Sequence, residues 1–272
     1  MQKRAEKITH IFCDIDGTLL DSRHLVTRET HRVLRALKAR GINVILISAR
    51  PPRAMVALRE ESGAADTMIC CAGACVCRGM DIVSSLRIAP LALRSVYETV
   101  HDPDLSLNVY RDWDWFVEKT DRYTEEETSI VGFAPSVRPM RELIAQWEKE
   151  NKGPNKLMLI GDAEKIGALT PALHKAVGES ARLVLSKPTY LEFLPPEVDK
   201  GAALLAYCAK RRIPLEHTLS CGDQDVDIPL LKAAGLSVAM ANGSSGAKAA
   251  ADVIAPSNDE DGLARALKEL LL

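Results

Sequence analysis

The sequence predicts an α/β protein, a doubly wound parallel-sheet core interrupted by an inserted α+β module. Near-continuous apolar runs alternate with helical patterns at both ends of the chain. A central stretch instead alternates residue by residue, as antiparallel strands do. Aspartates follow directly on two of the apolar runs, where an open α/β sheet binds its ligands.

In chain order, Ile8 to Ile15 reads as a buried strand. Thr27 can cap a helix running to Arg40, with Gly41 at its end and Val33, Leu34 and Leu37 on one face. Ile42 to Ile47 is rich in β-branched residues, as a strand covered on both faces would be. Pro51 and Pro52 open a helix that stops near Gly63, and Thr67 to Cys71 is a further strand. The same alternation is expected again from about Leu183 onward. Lys200 precedes a helix carrying Leu204, Leu205 and Cys208. Thr218 to Cys221 and Leu236 to Met240 read as strands, with a helix ending at Gly235 between them, and Val253 to Ile254 as a short last strand. Ser257 and Glu260 have capping-box spacing before a final helix.

Between these regions, Leu105 to Val117 places apolar residues mostly at odd positions, with a turn expected near Asp112. Trp113, Trp115 and Phe116 read as packing residues, and Glu125-Glu126-Glu127 as a solvated helix start. The expected division is a core of residues 1–82 and 187–272 with an inserted α+β cap over 83–186.

Composition narrows the function. Of 272 residues, 47% are hydrophobic and 26% charged, with a formal net charge of -2. No basic excess favours nucleic acid, so an anionic substrate has to be held by local charges. No apolar run nears the ~20 residues a membrane helix needs. Met1 to His10 is too polar for a secretory signal, and the expected location is the cytoplasm. The seven cysteines include a cluster from Cys70 to Cys77, but no second ligand pair follows at zinc spacing. They read as reduced, small core residues.

The chemical signal begins at Asp14-Ile15-Asp16-Gly17-Thr18-Leu19-Leu20, directly after an apolar strand. On an extended chain Asp14 and Asp16 face the same way. Two carboxylates held together repel, and a divalent cation relieves the cost. Gly222-Asp223-Gln224-Asp225-Val226-Asp227 follows a second strand, Ser48 a third, and Lys200 opens a helix. Carboxylates, a hydroxyl and an ammonium at several strand ends are what phosphoryl transfer requires.

With these residues in order, the chain resembles the haloacid dehalogenase-like hydrolase superfamily, specifically the Cof-type (subfamily IIB) phosphatases with a large inserted cap. Asp14 to Leu20 is similar to the first motif of that family. Ser48 matches the second motif with Arg50 in its usual position, Lys200 the third, and Gly222, Asp223 and Asp227 the fourth. Tyr190-Leu191-Glu192 and Asn258-Asp259-Glu260-Asp261-Gly262 are also similar to the subfamily.

The resemblance implies roles. Asp14 is the nucleophile that takes the phosphoryl group. Asp16 protonates the leaving oxygen and then activates water. Mg²⁺ is held by the Asp14 carboxylate, the Asp16 backbone carbonyl and Asp223. Ser48, Arg50 and Lys200 bind the phosphoryl oxygens. Asp227 supports the metal waters or holds Lys200. The cap closes over a small phosphorylated metabolite, foremost a sugar phosphate, with nucleotide and cofactor phosphates as further options. Nucleic acid and membrane are not expected partners.

Three positions depart from the family pattern: Ala49 for the usual Gly, Ala72 for Asn, and Val226 for Asn. The alternatives are a phosphomutase, which passes the phosphoryl group to a sugar hydroxyl, and a non-catalytic binder of a phosphorylated metabolite. The retained Asp16 counts against the binder, because binding alone needs no acid/base.

Overall fold

The computed structural model describes residues 2–272. Strands are numbered in chain order: β1 (His10–Cys13), β2 (Asn43–Ile47), β3 (Thr67–Cys70), β4 (Cys75–Arg78), β5 (Asp81–Ser85), β6 (Ser106–Arg111), β7 (Asp114–Val117), β8 (Ser136–Val137), β9 (Lys156–Ile160), β10 (Arg182–Lys187), β11 (Tyr190–Leu194), β12 (Thr218–Gly222), β13 (Leu236–Met240) and β14 (Val253–Ala255). The chain divides into two compact units. One comprises residues up to Ala49, Met55–Asp81 and Asp199–Leu272; the other comprises Arg50–Ala54 and Ile82–Val198.

The first unit is built on strands in the order β14-β13-β12-β1-β2-β3-β4. Strands β14 through β3 run parallel, and β4 turns back antiparallel on β3. β1 is central, with Cys13 opposite Cys221 on one side and Leu46 on the other. These strands are covered on both faces, so they read as continuous apolar runs. Phe12, Ile45, Ile47 and Ile69 pack against Leu204, Cys208 and Leu230 on one side. The helix Arg28–Ala39 starts where expected, the Thr27 side chain accepting the Thr30 N–H. From β1 the chain winds outward to β2 and β3. On its return it builds β12, β13 and β14 on the opposite side. The winding direction therefore reverses between β1 and β12, and the crevice beyond the carboxyl ends of those two strands is the topological switch point.

The second unit has a six-stranded sheet of order β10-β11-β9-β6-β7-β8. β6 and β7 form the expected hairpin, with Asp112 at φ 55° in its turn. Both faces of β6 are covered. Val109 joins a core with Leu93, Leu143, Trp147 and Leu173, whereas Tyr110 packs on the opposite side with Trp115, Met158 and Ile160. Trp115 and Phe116 are packing residues. The Trp115 indole donates to Asn108 at 2.9 Å, and the Phe116 ring meets Trp147 edge-on at 5.6 Å. All seven cysteines are free and buried.

Two expectations need correction. The expected return to the core at residue 187 moves to Asp199. β10 and β11 form an antiparallel hairpin, and β11 pairs with β9 on its other edge. β11 is buried throughout, so its apolar run suits the interior of either sheet. Glu127 is also not solvated. It lies on the inner face of helix Arg122–Val131 with Thr124 and Val131 and is 5% exposed.

The Tyr110 hydroxyl donates to Glu127 at 3.1 Å, and Lys156 and Glu192 form a buried pair at 3.3 Å. Burial pushes the Glu127 carboxyl up from its ordinary 4.5. The folded state then holds a proton that the unfolded chain has released. Stability therefore falls as pH rises from about 4.5 through the folded value. Glu127→Gln keeps an acceptor for Tyr110 and removes the charge. It is expected to flatten that fall and to be more stable than the parent at pH 8. Urea midpoints at pH 4.5 and 8 for both proteins check this; parallel pH curves would exclude it.

Candidate active site

The switch point gathers the chemically able residues of the first unit. Asp14 follows β1 directly, its N–H donating to the Cys221 carbonyl at 3.0 Å. Gly17 turns the chain at φ 80°, and a Cβ there would stand 2.5 Å from Asp223 Oδ2. Only glycine lets the first loop lie this close to the second carboxylate. The Thr18 hydroxyl donates to Asp223 Oδ1 at 3.0 Å, joining the two loops.

Lys200 is the first residue of helix Lys200–Arg211, which Asp199 caps by accepting the Ala202 N–H. Its ammonium donates to Asp14 Oδ1 and to Asp227 Oδ1, each at 2.6 Å. Asp227 Oδ2 accepts the N–H groups of Asp223 and Gln224 at 2.9 and 3.0 Å. Both oxygens of Asp227 are thereby engaged, and its geometry is that of a residue holding Lys200 and the Asp223 turn.

Oxygens of Asp14, Asp223 and Asp227 lie within 4.8 Å of one another, all on buried residues. Burial, then the charges of Asp227 and Asp223, push the Asp14 carboxyl well up, against the pull of Lys200. Burial also raises Asp223. Burial alone would lower Lys200, but Asp14 and Asp227 outweigh it and raise it. Three buried carboxylates thus share one ammonium. The remaining negative charge and the hard oxygen donors fit a hard divalent cation such as Mg²⁺, which the side chains of Asp14 and Asp223 could hold.

Ser48 follows β2 at the same sheet edge and is 2% exposed. Its N–H donates to the Ile69 carbonyl, and its carbonyl accepts the Ala72 N–H. Asp16 stands outside the carboxylate trio, with its side chain 47% exposed and His24 Nδ1 at 4.0 Å from Oδ1. No histidine spacing in the sequence points to that approach. Arg50 Nη1 donates to the Ile130 carbonyl at 3.0 Å within the second unit, so its assignment to phosphate rests on the resemblance. Ala72 takes φ 56°, a left-handed conformation that the family's usual Asn tolerates better.

A haloacid dehalogenase-like hydrolase family profile matches residues 11–267, and the chain belongs to that family. Among its relatives, the phosphatase YwpJ of Bacillus subtilis is 28% identical over 290 aligned residues, 96% of this chain and 99% of its own. A haloacid dehalogenase-like hydrolase from Bacteroides thetaiotaomicron superposes with a TM-score of 0.87 at 24% identity, covering 97% of this chain and 100% of that one. The subclass IIB sugar phosphatase BT4131 gives a TM-score of 0.82 at 20% identity, covering 96% and 98%. The chain is a hydrolase of this superfamily, with the fold of its subclass IIB.

Proposed function

We propose that this hydrolase removes phosphate from a small phosphorylated metabolite, a sugar phosphate foremost, by way of an aspartyl phosphate on Asp14. The observation that carries the proposal is the Lys200 ammonium bridging Asp14 and Asp227 beside Asp223 at the switch point. Asp14 attacks phosphorus and forms a P–O bond. The bond to the leaving alcohol oxygen breaks, and that oxygen takes a proton from Asp16. Asp16 then accepts a proton from water, whose oxygen attacks phosphorus and frees Asp14 and inorganic phosphate. Lys200 and Ser48 hold phosphoryl oxygens, and Asp227 keeps Lys200 aimed at Asp14. Mg²⁺, held by Asp14, Asp223 and the Asp16 carbonyl, would supply neutralisation of the charge gathered on the phosphoryl group.

The partial exposure of Asp16 supports its role, since a group that exchanges protons with the leaving group and with water needs access to both. The likeness to a sugar phosphatase fold supports the substrate class, and we assign substrate discrimination to the second unit. Seven free thiols support a reducing, cytoplasmic setting. Purified protein incubated with a metabolite panel and Mg²⁺ should release phosphate and stop on addition of chelator. Recovery of an isomeric sugar phosphate instead would identify a mutase, and release unaffected by chelator would overturn the metal assignment.

Val226 opens a further test. The amide usual there could donate to a phosphoryl oxygen, and valine cannot. Val226→Asn is expected to raise kcat on an aryl phosphate by about 10-fold or more with little change in KM, because such a donor acts on charge that develops during transfer. A rise in KM for one metabolite with kcat unchanged would instead show Val226 contacting that substrate.

A further inference from the structure

The loops after β13 and β14 carry no group that the proposed chemistry uses, yet both reach across to the loop that follows β1. Asn242 Nδ2 donates to the Gly17 carbonyl at 2.9 Å, and its Oδ1 accepts the Asn258 N–H at 3.0 Å. Asn258 Nδ2 donates to the Leu20 carbonyl at 2.9 Å, and Asp259 accepts the Ser22 N–H at 2.8 Å. The loop that bears Asn242 also grips the second acidic turn. A Cβ on Gly243 would stand 2.3 Å from the Asp223 carbonyl oxygen, and the Ser244 N–H donates to that same oxygen at 2.8 Å.

We infer that Asn242 is a positioning residue. With Asn258 and Asp259 it latches residues 17–22, and so fixes the Asp16–Gly17 turn relative to Asp223. The inference rests on the proposed phosphatase reading for its consequence and on hydrogen-bond geometry for its existence. The Gly17–Thr18 peptide is pinned at both ends, its carbonyl by Asn242 and its threonine by Asp223. Free rotation of that peptide would swing Asp16, and a displacement of about 1 Å at a reacting group costs on the order of 10²-fold in rate. A side-chain amide, with its NH₂ and its carbonyl oxygen on separate arms, can donate to one loop and accept from another at once. Asn242 is exposed, so replacing it opens no cavity in the core.

The test is Asn242→Asp, which keeps the acceptor for Asn258 and removes the donor to Gly17. Expected are a fall in kcat of about 10-fold to 10²-fold and a substrate KM within about twofold of the parent. The melting temperature should stay close to the parent's. Amide hydrogen exchange should accelerate about fivefold or more in residues 15–22, with the rest of the chain unaffected. Unchanged exchange in 15–22, or a rate loss that tracks a falling melting temperature, would overturn the inference. The exchange readout needs neither substrate nor metal. A parent protein without phosphatase activity would therefore refute the function while the latch is still decided by exchange.

Discussion

Asp14→Asn is expected to lower kcat by on the order of 10⁴-fold or more, with the protein folded and at least as stable as the parent. The rate loss follows from the proposed role, since an amide cannot attack phosphorus as a carboxylate does. The retained stability follows from the charges. Asp14, Asp223 and Asp227 crowd one ammonium, and burial with mutual repulsion pushes the Asp14 carboxyl up. Removing one buried negative charge relieves that repulsion, while Lys200 keeps its 2.6 Å bond to Asp227. A mutation that destroys activity and spares or raises the melting temperature separates a functional carboxylate from a structural one. Activity within about tenfold of the parent would remove Asp14 from the chemistry.

Lys200→Met is expected to have the opposite signature on stability. It strips the shared cation from Asp14 and Asp227, both 5% exposed or less. Breaking a buried pair by deleting one partner typically costs about 3–5 kcal/mol, because the surviving charge is left uncompensated. Activity should fall with it, since the ammonium is proposed to hold the phosphoryl group. The double variant Lys200→Met with Asp227→Asn removes one of the stranded charges and should regain part of the stability. It should not regain activity. Chemical denaturation of the three proteins alongside aryl phosphate turnover reads both effects. Stability of the single variant within about 1 kcal/mol of the parent would contradict the buried bridge.

Much of the first unit was legible because its strands are covered on both faces. β1, β2, β12 and β13 stand out as apolar runs bounded by aspartate, serine or glycine, and an ionised side chain has no place inside such a run. Asp14 and Asp223 could thus be read as lying at strand ends. β9 and β11 are equally buried, but nothing in an apolar run says which sheet it joins, and the unit boundary was misplaced by that ambiguity. Glu127 carried a usable signal, since Thr124, Glu127 and Val131 fall on one helical face, but its charge argued for solvent. Asn242 and Asn258 were not legible as positioning groups. Their partners Gly17 and Leu20 lie more than two hundred residues away, and an amide's role is set by what tertiary structure places beside it.

The central claim is a covalent bond between phosphorus and Asp14. Borohydride reduces an acyl phosphate to an alcohol, which would leave homoserine in place of that aspartate. The enzyme should be mixed with Mg²⁺ and substrate, quenched into borohydride within the first turnovers and digested, and the peptide spanning residue 14 weighed. Homoserine at position 14, dependent on substrate and absent from Asp14→Asn, is the predicted result. Continued turnover with no reduced residue, or with the reduced residue at any other aspartate, would contradict it.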